Sequence, residues 1–86
     1  MAKKEILIGD VNWIQGKPPD FSKKYLARVR YRQPLQKVGI RSKELGIRGR
    51  NNRILVRFEV PQVAAAGQSL VLYNSNECLG GGVIEN

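Results

Sequence analysis

Residues 53–60 read RILVRFEV and form the clearest β-strand pattern in the chain. Every second residue is apolar, and the side chains predicted to face a core are Ile54, Val56, Phe58 and Val60. Alternation with a period of two is typical of a strand with one buried face. Pro61 follows directly, and because proline cannot donate a ladder hydrogen bond, we expect the strand to stop there.

Two segments before this strand show the same alternation. Residues 24–33, KYLARVRYRQ, place apolar side chains on one face, and Pro34 is predicted to end that strand. The opposite face carries Arg28, Arg30 and Arg32. Successive arginines on such a face stand ~7 Å apart, close to the phosphate spacing of a nucleic-acid strand.

Residues 36–43, QKVGIRSK, form the second segment, with Lys37 and Arg41 opposite its apolar face. If the two strands are antiparallel neighbours, their basic faces merge into one patch. We expect phosphate contacts from Arg28, Arg32, Lys37 and Arg41 on charge pattern alone.

The rest of the chain reads as short strands joined by turns. Residues 5–14 begin as a strand that Gly9-Asp10 interrupts as a bulge or turn, and residues 15–22 form a loop in which Phe21 anchors to the core. Residues 44–52 are turn-like. Residues 68–73 and 77–84 are predicted to pair as a hairpin around residues 74–76.

The glycine run at 80–82 predicts a bulge, a barrel corner or a close backbone approach. It is not a phosphate-binding loop, because Val83-Ile84 follow it instead of a Lys-Ser/Thr pair and a helix. We therefore expect an all-β fold, a small closed or partly open barrel of about six mostly antiparallel strands, similar to the barrels of elongation factors and OB-folds. The 86 residues are predicted to form one domain, with residues 1–4 an added boundary segment.

Composition excludes several kinds of chemistry. The chain has no histidine, which rules out His-based catalysis and His metal ligation, and one cysteine, which rules out an internal disulfide or a cysteine-based zinc site. Cys78 lies in an apolar strand and is interpreted as a structural thiol, and Trp13 as a core residue that could alternatively stack on a base. No apolar run approaches the ~20 residues of a membrane span, and we expect a cytoplasmic protein.

Charge is concentrated in the middle of the chain. Lys and Arg total 15 against 7 Asp and Glu, for a net charge of +8. Residues 23–57 hold twelve of the basic residues and a single acid, Glu44. The remaining residues hold three lysines and six acids. This distribution favours an acidic partner, nucleic acid first, over a uniformly solvated basic surface, which is the alternative interpretation.

Four segments together resemble a known family: GDVNW (9–13), VRYRQ (29–33), VRFEVPQVAAAGQSLVLY (56–73) and CLGGGVI (78–84). They are similar to the C-terminal domain of the tRNA-specific 2-thiouridylases, also known as tRNA (5-methylaminomethyl-2-thiouridylate)-methyltransferases. The similarity extends from about Glu5 to Glu85. It implies an excised C-terminal barrel of a longer enzyme, which helps seat the tRNA anticodon arm.

The resemblance implies partners and site residues. Family enzymes use ATP with Mg²⁺, bound in another domain, to 2-thiolate the wobble uridine of tRNAs for Lys, Glu and Gln. This chain lacks the SGGxDS loop and the cysteine pair, so we expect no catalytic residue, metal or cofactor in it. Expected partners are tRNA, the catalytic and central domains of the same enzyme, and a sulfur-donor protein.

The resemblance places tRNA contacts at Arg30, Tyr31 and Gln68. Alternation puts Tyr31 on the Val29 face, so a core or rim position is the alternative there. Gln68 follows Gly67, so it is either a rim contact or a turn cap. Two other functions stay open: a barrel that braces the catalytic domain or a sulfur donor, and a free-standing basic RNA-binding barrel.

Overall fold

Six antiparallel strands close into a barrel in the order β1-β4-β3-β2-β5-β6. The structure is a computed structural model and describes residues 2–29, 33–42 and 53–85. The strands are β1 (Ala2–Trp13), β2 (Tyr25–Arg28), β3 (Gln36–Ser42), β4 (Ile54–Val63), β5 (Ser69–Asn74) and β6 (Glu77–Ile84). The described ranges contain no helix, and the predicted all-β barrel of six antiparallel strands is confirmed.

The barrel interior is filled by alternate residues of every strand. Ile54, Val56 and Phe58 of β4 point inward as predicted, and Phe58 is only 1% exposed. The prediction that Val60 faces the core is wrong, because this side chain is 57% exposed. The reason lies in the pairing of β4 with β1, whose register shifts between Lys3 and Glu5, so that the alternation does not continue past Phe58.

β4 also continues through Pro61 to Val63, three residues beyond the predicted stop. Lys3 pairs with Gln62 and Glu5 pairs with Arg57, so Pro61 falls in the irregular stretch between these pairs. A proline within a sheet is tolerated at such an irregularity because its missing N–H removes no ladder bond. The prediction that Pro61 ends the strand is therefore wrong.

β2 is shorter than predicted. The alternating pattern predicts a strand over residues 24–33 that ends before Pro34, but β2 ends at Arg28. The N–H of Val29 is donated at 2.9 Å to Oε1 of Gln33 instead of to a neighbouring strand. A side-chain acceptor thus replaces the ladder at this point. Arg30 to Arg32, and the predicted turn over residues 44–52, lie outside the described residues.

Two bulges shape the glycine-containing strands. Gly9 pairs with Val83 and Asn12 with Gly81, so β1 carries one extra residue where Asp10 adopts a φ of 49°. Leu72 pairs with Gly80 and Tyr73 with Cys78, so Leu79 is the extra residue in β6. The predicted interruption at Gly9-Asp10 and the predicted hairpin around residues 74–76 are confirmed. The bulge of β6 lies just before the glycine run, and within residues 80–82 the predicted close backbone approach is confirmed, because a Cβ at Gly81 would stand 2.2 Å from the carbonyl oxygen of Leu70.

Trp13 and Phe21 pack together against the edge of the core. Their ring centroids are 6.2 Å apart, and both rings are partly buried. The predicted anchoring role of Phe21 is confirmed, and Trp13 packs with it as a core residue. Within the described part of the chain, no helix is long and apolar enough to span a membrane.

Candidate nucleic-acid interface

The outer face of β3, β2 and β5 carries a row of three side chains that belong to directly paired residues. Leu26 of β2 pairs with Lys37 on one side and with Tyr73 on the other. Tyr25 and Ala27, the neighbours of Leu26 in sequence, are buried, so Leu26 faces outward. Lys37 and Tyr73, which pair with Leu26, face outward with it. Lys37 is exposed, whereas Leu26 and Tyr73 are half-buried. The row places a cation, an apolar side chain and an aromatic ring next to each other.

Arg28, at the end of β2, lies against this row. Its Nη2 donates a hydrogen bond of 3.0 Å to Oη of Tyr73, and its guanidinium carbon stands 5.3 Å from the centre of the Tyr73 ring. Arginine over an aromatic face is an attractive cation–π arrangement. The predicted phosphate-binding Arg28 is thus held at the barrel surface by a residue 45 positions away in sequence.

Lys37 and Arg41 are both exposed on β3, and β2 and β3 are antiparallel neighbours, which is the condition under which their basic faces were expected to merge. They do not form one compact cluster with Arg28. Arg28 and Arg41 lie on opposite sides of the Leu26–Lys37 pair, and the offset along the strands is roughly 20 Å. The described basic residues therefore make an elongated track with Lys37 between its ends.

Acidic residues border this track on the β4 side. Glu59 forms an ion pair with Lys24 at 3.5 Å, and Glu5 with Arg57 at 3.8 Å. A shallow groove of about 270 Å³ beside Leu26 is lined by Lys24 and Lys37 together with Glu59. Among the described residues, the basic side chains toward β4 are therefore partly neutralised by acidic partners.

Gln68 caps a turn. Its Oε1 accepts the N–H of Ala65 at 2.8 Å, and its own N–H donates to the carbonyl of Ala65 at 3.1 Å. These contacts correspond to the turn-cap interpretation. Gln68 precedes Val71, the β5 partner of Arg28, by three residues, which is about 10 Å of strand. Both side chains lie toward the same end of the barrel, and a tRNA contact by Gln68 stays a prediction.

Arg30, Tyr31 and Arg32 lie outside the described residues, but the residues on either side of them are joined. Gln33 accepts the Val29 N–H through Oε1 and donates through Nε2 to Oε1 of Gln62. Gln62 in turn donates to the carbonyl of Val60 at 2.8 Å, and it is 6% exposed. This glutamine chain ties the segment after β2 to β4.

Sequence reasoning missed Tyr73, Gln33 and Gln62. The alternation of β5 could have indicated that Tyr73 faces outward, because Leu70 and Leu72 face the core. The glutamines lie 29 residues apart and left no local signal. The described residues contain no group of three or more His, Cys, Asp or Glu side chains that could hold a metal ion.

The geometry defines the class of protein as a small basic antiparallel barrel that carries a track of basic side chains, with an aromatic residue against it, on one side. Comparison with known families then shows that the chain belongs to the aminomethyltransferase β-barrel domain family, whose model matches residues 3–84. The resemblance to the 2-thiouridylase barrel is confirmed by the curated relatives, which carry the name tRNA-specific 2-thiouridylase MnmA.

The protein of Burkholderia thailandensis is 37% identical over 86 residues, covering 99% of this chain. The proteins of Burkholderia mallei and Nitrosomonas eutropha are each 36% identical, covering 100% and 98% of it. The chain spans 22% of the length of each of these relatives.

Proposed function

We propose that this barrel binds tRNA as part of a tRNA-modifying enzyme and helps seat the anticodon arm for 2-thiolation of the wobble uridine. The observation that carries the proposal is the track on β2 and β3, where Arg28 is held on Tyr73 and Lys37 stands beside it. Phosphate contacts of this kind position an RNA without reading its sequence. The names of the relatives support tRNA as the substrate.

The finer parts of the proposal extend to the longer enzyme. Its tRNAs are those for Lys, Glu and Gln, its partners within one chain are the catalytic and central domains, and a sulfur-donor protein supplies the sulfur. Working on tRNA, it acts in the cytoplasm. ATP and Mg²⁺ belong to the catalytic domain. The described residues of this barrel do not fit a phosphate loop, because Gly80 and Gly81 are paired with β5 and β1 inside the sheet.

The experiment is an amide-shift NMR titration of the labelled 86-residue chain. The titrants are a wobble-uridine anticodon stem-loop and a generic hairpin of equal length, each at two salt concentrations. We expect shifts concentrated at Arg28, Arg30, Tyr31, Lys37 and Gln68, fading as salt is raised. A stronger response to the wobble-uridine loop shows that the barrel contributes to selection. An absence of shifts near these residues at low salt contradicts the proposal.

Matched variants sharpen the titration. Lys37→Ala is expected to weaken binding of both RNAs to a similar degree and to lower the salt slope by about one. Lys3→Ala removes the same charge from β1, which is three strands away from β2 in either direction around the barrel. It is expected to leave the affinity almost unchanged. Equal losses from the two variants indicate a general effect of net charge and not a track on β2 and β3.

A second candidate function is a docking barrel that braces another domain. Three apolar side chains favour it by their exposure: Ile14 at 64%, Val60 at 57% and Val63 at 58%. Apolar docking weakens little with salt, whereas phosphate binding weakens steeply, so the two-salt titration separates these functions.

A further inference from the structure

Tyr73 is the aromatic residue that contacts Arg28 on the outer face of the barrel. It lies in β5 between Leu26 of β2 and Cys78 of β6, so neighbours on both sides fix its backbone. Its ring and the Arg28 side chain are both half-buried. Its hydroxyl accepts the Arg28 Nη2 hydrogen at 3.0 Å, and its ring lies under the guanidinium.

This geometry favours positioning of Arg28 over stacking of Tyr73 on a base. A base that stacks on an aromatic side chain needs an open ring face. The Arg28 guanidinium is hydrogen-bonded to the Tyr73 hydroxyl and its central carbon lies 5.3 Å from the ring centre, so a base that stacked on this side of the ring would have to displace it. An arginine that is already held also loses less side-chain freedom when it binds a phosphate, and preorganisation of this kind raises affinity.

We infer that Tyr73 is a positioning residue for RNA binding, which holds the Arg28 guanidinium at the end of β2 for a backbone phosphate. The inference rests on the proposed function. The tyrosine hydroxyl fixes the guanidinium through a partly buried hydrogen bond, and the ring supports it by cation–π attraction. Tyr73 then contributes to affinity through Arg28 and not through an RNA contact of its own.

The test is a double-mutant cycle on the 86-residue chain, with binding to the anticodon stem-loop measured at low and moderate salt. Arg28→Ala is expected to weaken binding about tenfold at low salt and to lower the salt slope by about one. Tyr73→Phe keeps the ring and removes the hydroxyl, and we expect a loss of about threefold. The double variant is expected to bind no more weakly than Arg28→Ala.

Two further variants separate positioning from stability. Tyr25→Phe removes a hydroxyl that donates to the carbonyl of Asp20 at 2.8 Å, and it is expected to leave RNA affinity unchanged. Arg28→Lys keeps the charge but loses the planar guanidinium, so adding Tyr73→Phe to it is expected to change little. The Arg28 Nε–Hε resonance gives a direct readout and is expected to shift in Tyr73→Phe.

Each possible result of these measurements either supports or overturns the inference about Tyr73. Losses that multiply in the double variant, or an affinity of Tyr73→Phe equal to that of the wild type, overturn it. If Arg28→Ala binds like the wild type while binding remains steeply salt-dependent, the inference fails and the proposed function stands. If the unaltered chain binds no RNA at low salt, both fail.

Discussion

Gly81 is a position where a single methyl group conflicts with the backbone of the neighbouring strand. A Cβ added there would stand 2.2 Å from the carbonyl oxygen of Leu70, and at Gly80 it would stand 2.0 Å from that of Asn12. Gly80 also has a φ of 145°, a backbone angle that residues with a side chain rarely adopt. The strand carbonyls cannot move away without breaking pairs of β5 and β1. Glycine is therefore required here by the close packing of three strands.

Gly81→Ala is expected to lower the free energy of unfolding by about 1–3 kcal/mol, because the added methyl overpacks the sheet. Gly39→Ala is the matched control, since a Cβ there meets nothing within 4 Å. It is expected to be neutral or to stabilise by up to about 1 kcal/mol. Urea denaturation measures both changes. Equal midpoints for the two variants would contradict the close-approach explanation.

The carboxyl of Asp20 gives a pH-dependent prediction. It accepts hydrogen bonds from Oγ of Ser22 at 2.7 Å and from the Ser22 N–H at 2.9 Å. These bonds, with a smaller effect of the Lys23 charge, hold the pKa of Asp20 below its ordinary value. A depressed pKa contributes stability that is present above the unfolded-state value and is lost as pH falls through the folded-state value.

Ser22→Ala removes the hydroxyl bond but keeps the backbone N–H bond, so it is expected to raise the pKa of Asp20 part of the way toward its ordinary value and to reduce this loss of stability at acid pH. Carbon-detected NMR of the Asp20 carboxyl across the acid range measures the shift. An Asp20 titration that is identical in the variant would show that Ser22 does not control this group.

At the scale of elements, alternation predicted β3 and β4, which bury alternate residues along most of their length, and the turn at residues 74–76 predicted the β5–β6 hairpin. It failed at the ends of β2 and β4. At Arg28 the ladder is replaced by a bond from Val29 to the Gln33 side chain, and at Pro61 the register irregularity lets the strand continue. Both depend on partners distant in sequence, which a local pattern does not contain.

The glutamine chain that joins these two elements makes Gln62 a buried polar residue with a structural role. Gln62→Ala removes the acceptor of the Gln33 amide and the donor to Val60, and we expect a loss of about 1–3 kcal/mol in the free energy of unfolding. Gln15→Ala is the control, because Gln15 is exposed and its contact with Glu77 is 3.5 Å long. Its effect is expected to stay within about 0.5 kcal/mol. Similar losses in the two variants would contradict this role.

At the scale of the whole molecule, the barrel converts the charge asymmetry of the sequence into an asymmetry in space. The basic segment runs through β2, β3 and β4, which are adjacent in the barrel, while β1, β5 and β6 complete the other side. The basic residues Arg28, Lys37 and Arg41 could be selected from charge and alternation alone. Tyr73 could not be linked to Arg28, because the β2–β5 pairing that joins them closes the barrel and has no local sequence signal.

The most direct test of RNA binding by this track is the salt dependence of affinity for the wobble-uridine anticodon stem-loop. Contacts from Arg28, Lys37 and Arg41 to three phosphates predict a slope of about −2 in a plot of log affinity against log salt, and the contacts expected from Arg30 and Arg32 make it steeper. Arg28→Ala is predicted to reduce the slope by about one, whereas Arg57→Ala, which removes a charge already paired with Glu5, leaves it unchanged. A slope near zero for the unaltered chain, or no binding at low salt, would contradict the account.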